Sequence, residues 1–132
     1  HRVHRRQRQM CIRDRKKPCV LYLLADEDIS LDDSIFTDFF DTQKATLKSI
    51  SKLAKLTNSK VLPCMCTYNF ESNDYFFKVF PELDNFPSNN IDEDCLKINM
   101  CLQQQILFDV SQYMWTLRIY KHRPDGSDVY KI

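Results

Sequence analysis

Asp26, Glu27 and Asp28 stand in a row directly after a seven-residue apolar run, Cys19-Val20-Leu21-Tyr22-Leu23-Leu24-Ala25. Carboxylates held at the end of a rigid strand can orient a base, position a substrate or bind a hard cation through oxygen. They are equally ordinary as solvated turn residues, and spacing alone leaves both readings open. A short continuous apolar run reads as a strand buried on both faces, as in parallel sheets covered by helices. Its carboxyl end is where such sheets place their chemistry, because the loops leaving that edge vary while the strands hold them.

After the polar stretch from Ile29 to Asp33, Ile35-Phe36 and Phe39-Phe40 put four large apolar side chains into a connecting segment. That segment is expected to fold back on the core or to line an apolar groove. Asp41 can cap a helix starting at Thr42, with Leu47, Ile50, Leu53 and Ala54 on its buried face. Lys44, Lys48, Lys52 and Lys55 lie opposite, as a solvated face or as a contact for anionic headgroups or an acidic carrier protein. Asn58-Ser59 ends this helix, and Val61 to Tyr68 reads as the next buried strand, with Pro63 at its edge. A helix between two apolar strands predicts a right-handed βαβ unit. Tyr75 to Phe80 is a further strand, stopped by Pro81. Asn90 and Glu93 have the spacing of a capping box, and Cys95, Ile98, Leu102 and Ile106 give the buried stripe of a helix reaching Asp109. Ser111 to Tyr120 is predicted as one more short helix, on which Arg118 and Lys121 would share a face. Tyr113 and Trp115 within it suit a headgroup-level contact, with Trp115 as a core anchor the favoured reading.

The 132 residues and their 43% apolar content fit one domain with one core. The longest apolar run is the seven residues above, too short to span a bilayer. Charge is unevenly spread: eight of the 19 cations and one of the 18 acids lie in residues 1–17, which leaves 11 against 17 in the remainder. The basic stretch has neither an initiator Met nor an apolar h-region, and Gln7 to Arg15 resembles translated sequencing-adapter sequence. Residues 1–15 are therefore expected to be a non-native tail rather than an arm for nucleic acid, with the natural polypeptide resuming near Lys16 and its own N-terminal part missing. Six dispersed cysteines in a chain rich in core residues are expected to be reduced thiols, with Cys19, Cys64 and Cys66 buried on strands. The one glycine, Gly126, lies in the terminal turn, so no glycine-rich phosphate loop exists.

Ala25-Asp26-Glu27-Asp28, then Ile35-Phe36-Thr37-Asp38-Phe39-Phe40 and Ala45-Thr46, and far downstream Gln112-Tyr113-Met114-Trp115-Thr116-Leu117-Arg118-Ile119-Tyr120-Lys121-His122-Arg123-Pro124-Asp125-Gly126, resemble the bacterial lipid A biosynthesis acyltransferases. These are late, membrane-bound enzymes that add secondary acyl chains to the lipopolysaccharide anchor. The resemblance runs from about Lys16 to the end. It implies an α/β fold, a partial lysophospholipid-acyltransferase-like one with a mostly parallel central sheet and flanking helices, of which residues 16–132 form the C-terminal part. The donor it implies is an acyl carrier protein thioester and the acceptor a lipid A precursor. The parent protein would work at the membrane surface, on the cytoplasmic face of the inner membrane, without metal, cofactor or nucleic acid.

In that family the base is the His of a His-x-x-x-x-Asp/Glu motif upstream of the matched region. His1 and His4 belong to the tail, and neither they nor His122 have an acid five residues on. Lys121 and Arg123 beside His122 would disfavour its charged form, so it is not expected to be a base. No catalytic residue is expected in this chain, which alone should be inactive. The resemblance gives Asp26 and Asp28 a supporting role, with Glu27 where the family has Gln and Ala25 where it has Pro. It gives Arg118, Lys121 and Arg123 to acceptor phosphates or to internal acids, and Phe36, Phe39 and Phe40 to the acyl and lipid cleft. Where Asp41 stands the family usually has Gly. Two alternatives remain: a metal-dependent glycosyltransferase fragment using Asp26-x-Asp28, and a non-catalytic α/β fragment.

Overall fold

A computed structural model of the protein describes residues 20–131. The basic tail, Cys11 and Cys19 lie outside the described residues. Strand β1 (Ser34–Phe39) and strand β2 (Thr42–Leu47) form an antiparallel hairpin, with Phe39 opposite Thr42 and Phe36 opposite Ala45. Ile35, Thr37, Thr42 and Thr46 are β-branched and Phe36 is aromatic, all suited to a pleated, half-buried surface. The two-residue connection, Phe40-Asp41, turns at Phe40, whose φ of 51° is left-handed. The Lys48 N–H donates to Asp33 O at 2.9 Å and closes the base of the hairpin.

Helix α1 (Ser49–Thr57) follows at once. Lys48 begins it without a side-chain cap, and Asn58 ends it in the left-handed conformation. Strands β3 (Cys64–Asn69) and β4 (Asp74–Val79) form a second antiparallel hairpin, paired Cys64 to Val79 through Asn69 to Asp74. Helix α2 (Ile91–Phe108) is the longest element among the described residues. Asn90 caps it, its Oδ1 accepting from the Asp92 N–H at 3.0 Å, but the expected capping box is not closed: Glu93 accepts from Asn90 Nδ2 at 2.9 Å, while the Asn90 backbone N–H donates to Ser88 Oγ at 3.0 Å. A single 3₁₀ turn, Val110–Gln112, and a run of turns complete the chain.

The core lies where α2 and the C-terminal turns meet the first hairpin. Phe39, Ile106 and Ile119 are buried together, with Leu102, Tyr113, Leu117 and Tyr120 packed around them. Polar groups tie the layers as firmly as the apolar ones. Asn99, fully buried on α2, donates to Asp38 O at 2.9 Å and accepts from Thr46 Oγ1 at 3.1 Å, so one amide reads both strands. Asp94, one turn earlier, joins α1 to α2. Ser51 Oγ donates to one carboxylate oxygen and the Ser88 N–H to the other, at 2.8 Å. Burial alone would raise the Asp94 pKa, but these hydrogen bonds to Ser51 and Ser88 overcome it and hold the carboxyl below its ordinary range.

The α/β content agrees with the sequence reading, and the sheet arrangement corrects it. The described residues form two small antiparallel sheets in place of a mostly parallel central one. A two-residue turn can only return a strand antiparallel, and α1 carries the chain to a separate sheet, so no βαβ unit forms. Residues 20–24 are not a strand: no ladder partner faces them among the described residues, and Val20 is 98% exposed. The helix expected from Thr42 starts at Ser49, so Lys44 sits on a strand and is buried instead of solvated. The connecting segment holding Ile35, Phe36 and Phe39 is β1 itself. The helix expected over Ser111 to Tyr120 is a 3₁₀ turn followed by irregular turns, and Trp115 is 55% exposed, its indole N–H donating to Val110 O at 2.8 Å. Cys64, Cys66, Cys95 and Cys101 are free thiols, of which Cys95 is buried while Cys66 is exposed.

Candidate functional site

The acidic triplet and the C-terminal signature, nearly a hundred residues apart in sequence, close on each other. Asp28 has no exposed side-chain surface, and both of its oxygens are taken by His122. The His122 N–H donates to Oδ2 at 2.7 Å, and the ring Nδ1 lies 2.6 Å from Oδ1. Asp26 accepts from the Tyr113 hydroxyl at 3.0 Å. Burial first, and then the charge and hydrogen bond of Asp26, raise the Tyr113 pKa, so the phenol stays a donor.

Arg123, next to His122, reaches the other way. Its guanidinium donates to Thr42 Oγ1 at 2.7 Å and to Gln43 O at 3.1 Å, and lies 5.4 Å from the Tyr120 ring centroid. Tyr120 in turn donates to Phe39 O at 3.3 Å. The signature is thus fastened to the acidic loop through His122 and Tyr113, and to the β1–β2 turn through Arg123 and Tyr120. Behind it lies Lys44, fully buried on β2, with its ammonium 3.4 Å from Ala45 O and 5.9 Å from the Phe39 ring. Burial lowers its pKa, and the carboxylates of Asp26 and Asp28 oppose that shift.

Between loop and signature opens a cleft of about 240 Å³. Glu27, Asp28 and Ile29 form one wall; Leu117, Arg118, Ile119 and Lys121 form the other. Arg118 lies 5.7 Å from the Tyr130 ring centroid, and the Lys121 N–H closes a turn onto Arg118 O at 3.3 Å. That turn, in place of the expected helix face, puts both cations on the same cleft. Phe39 is in the core, Phe36 is half-buried, and Phe40 stands edge-on to Phe39 at 4.9 Å, 36% exposed. No cluster of three or more His, Cys, Asp or Glu able to hold a metal occurs among the described residues.

Of the residues singled out from sequence, Asp28, Arg118 and Lys121 meet at the cleft, Asp26 ties the acidic loop to Tyr113 of the signature, and Arg123 serves as a tie to the hairpin turn. His122 and Lys44 were not anticipated as partners of the acidic loop. The available signal was that both motifs of one resemblance must share a purpose, which could have paired them across the chain.

The family model described as bacterial lipid A biosynthesis acyltransferase matches residues 1–122, a span that includes the basic tail. A lipid A biosynthesis acyltransferase of Haemophilus influenzae is 34% identical over 109 residues, covering 83% of this chain and 34% of the relative. A lipid A biosynthesis myristoyltransferase of Escherichia coli is 30% identical over 109 residues, covering 80% and 32%. A lipid A biosynthesis palmitoleoyltransferase of the same species is 24% identical over 112 residues, covering 84% and 36%. The chain spans about a third of the length of these curated relatives. Nearly all of it falls within one family match, and its two motifs build one cleft: the chain belongs to the bacterial lipid A biosynthesis acyltransferases.

Proposed function

We propose that this chain is the acceptor-side, C-terminal part of an acyltransferase that moves a fatty acyl group from an acyl carrier protein thioester to a hydroxyl of a lipid A precursor. The observation that carries the reading is the cleft itself, in which the acidic loop is hydrogen-bonded to the signature and two cations line the opening. Guanidinium and ammonium groups at the rim of a cleft suit the phosphates of a lipid acceptor, Arg118 by a bidentate fork and Lys121 as a point charge. Asp26 and Asp28 hold the walls of the cleft and do not themselves react. Deprotonating the acceptor hydroxyl needs a base beside the thioester, and we assign that role to a His-x-x-x-x-Asp/Glu motif in the part of the parent protein preceding this region.

The parent would act at the cytoplasmic face of the inner membrane, where acceptor and carrier protein meet. No helix among the described residues is long and apolar enough to cross a membrane, so contact with the bilayer would come from elsewhere in the parent or from its surface. The test is reconstitution: this chain alone and a version extended upstream to the relatives' length are assayed for acyl transfer to a lipid A precursor from the carrier-protein thioester. Turnover is expected only in the extended protein. Turnover by the short chain above a boiled control, lost in His122→Ala, would move the base to His122 and overturn the assignment.

A further inference from the structure

His122 covers Asp28, one of the acids of the cleft. Asp28 and the pair Arg118 and Lys121 line the same cleft, yet neither cation is ion-paired among the described residues. The reason is visible at Asp28, whose two oxygens both accept from His122, one from its backbone and one from its ring, with no side-chain surface left exposed. With a donor on each oxygen and its side chain fully covered, the carboxylate presents less of its charge to the cations opposite, because the donors facing it partly offset its field.

We propose that His122 sets the ligand selectivity of this cleft: by capping Asp28 it leaves Arg118 and Lys121 free to hold a phosphate group. The inference rests on the acceptor reading above and adds the residue that withdraws one of the cleft's two acids, Asp28 rather than Glu27, from the cations opposite. Without the cap, Asp28 would turn to Lys121 or Arg118, neutralise it and repel an incoming anion. Arg123 cannot take over the cap, because its guanidinium is committed to Thr42 and Gln43. Lys44, whose ammonium feels the charge of Asp28, makes its hydrogen bond to Ala45 O instead.

The test uses the 132-residue chain as it stands, titrated with inorganic phosphate at constant ionic strength against chloride, with the amide resonances of Arg118 and Lys121 followed by NMR. Saturable shifts are expected for the wild-type chain. His122→Leu should bind phosphate about tenfold more weakly, because the freed carboxylate competes for the same cations. His122→Asn keeps a neutral side-chain donor for Asp28 and should stay within about twofold of wild type, while Asp28→Asn removes the competing charge and should bind at least as tightly. If His122→Leu does not fold, the other two variants decide: a tenfold loss in folded Asp28→Asn or His122→Asn overturns the capping role. Equal affinity in wild type and folded His122→Leu overturns it as well, and so does a wild-type chain that binds no phosphate. Failure of the acceptor reading has a different signature, phosphate binding as described with an acceptor KM in the extended enzyme that ignores Arg118.

Discussion

The two hairpins have similar lengths and opposite fates. β1–β2 buries Ser34 and Phe39 and all of Lys44 to Leu47, whereas none of the twelve residues of β3–β4 is buried and every residue of β4 is exposed. The exposed hairpin is the more aromatic of the two, with Tyr68, Tyr75, Phe76 and Phe77 on its strands. Burial here follows from what packs against a hairpin rather than from its own hydrophobicity. Asn99, Cys95 and the hydroxyl of Tyr120 hold the first one, and an isolated two-stranded ribbon is at best marginal in water. The cleft rests on the braced hairpin, as a site that must keep its geometry requires.

Paired truncations sharpen the contrast most. Phe39→Ala should cost about 3 to 5 kcal/mol, since it empties the centre of the core. Phe77→Ala, at a side chain 61% exposed, should stay within about 0.5 kcal/mol. Urea unfolding of both variants measures the difference, and equal losses would mean that the second hairpin is as much a part of the cooperative unit as the first.

Alkaline pH separates the two regions more gently. Burial pushes the Cys95 thiol up to about 11 from its ordinary value near 9, with the charges of Asp94 and Asp92 adding to the shift. Between those values the unfolded chain releases a proton that the folded chain keeps, so the stability that Cys95 contributes is lost as pH rises from 9 to 11. Melting temperature should therefore fall more steeply over that range in the wild-type chain than in Cys95→Ala. A matching slope in the variant would show that other groups govern the alkaline limit, Lys44 working in the opposite direction because its pKa is lowered.

The parts of the fold legible in sequence were those with local signals. Asn90 and Glu93 specify the start of α2 within one turn, Asn58 ends α1, and Pro81 follows a strand of β-favouring aromatics. The first hairpin was obscured because Leu47, Ile50, Leu53 and Ala54 fit a helical stripe that extends back too far, carrying Thr42 and Lys44 into a helix that begins only at Ser49. Lys44, between Gln43 and Ala45, gave no sign that it would be buried. Residues 20–24 are apolar enough for a strand, but a strand also needs a ladder partner, and composition does not supply one. The resemblance singled out the acidic loop and the signature, while the pairing of Asp28 with His122 spans 94 residues and leaves no periodic trace.

The smallest effect is expected outside the described residues. We expect removal of residues 1–15 to change stability by no more than about 0.5 kcal/mol, the usual range for surface changes, if the tail is not native structure. Loss of the cooperative melt on truncation would instead agree with the family match that starts at residue 1 and make the tail part of the domain.

The central claim is that the cations of the cleft bind the acceptor. In the extended enzyme, Arg118→Lys keeps the charge and loses the bidentate fork, which is worth about 1 to 2 kcal/mol for a charge-assisted hydrogen bond. KM for the lipid acceptor should rise about tenfold, while KM for the carrier-protein thioester and the melting temperature stay unchanged. A lower melting temperature with both KM values intact would contradict the account, since Arg118 would then serve the fold through Tyr130 and not the substrate.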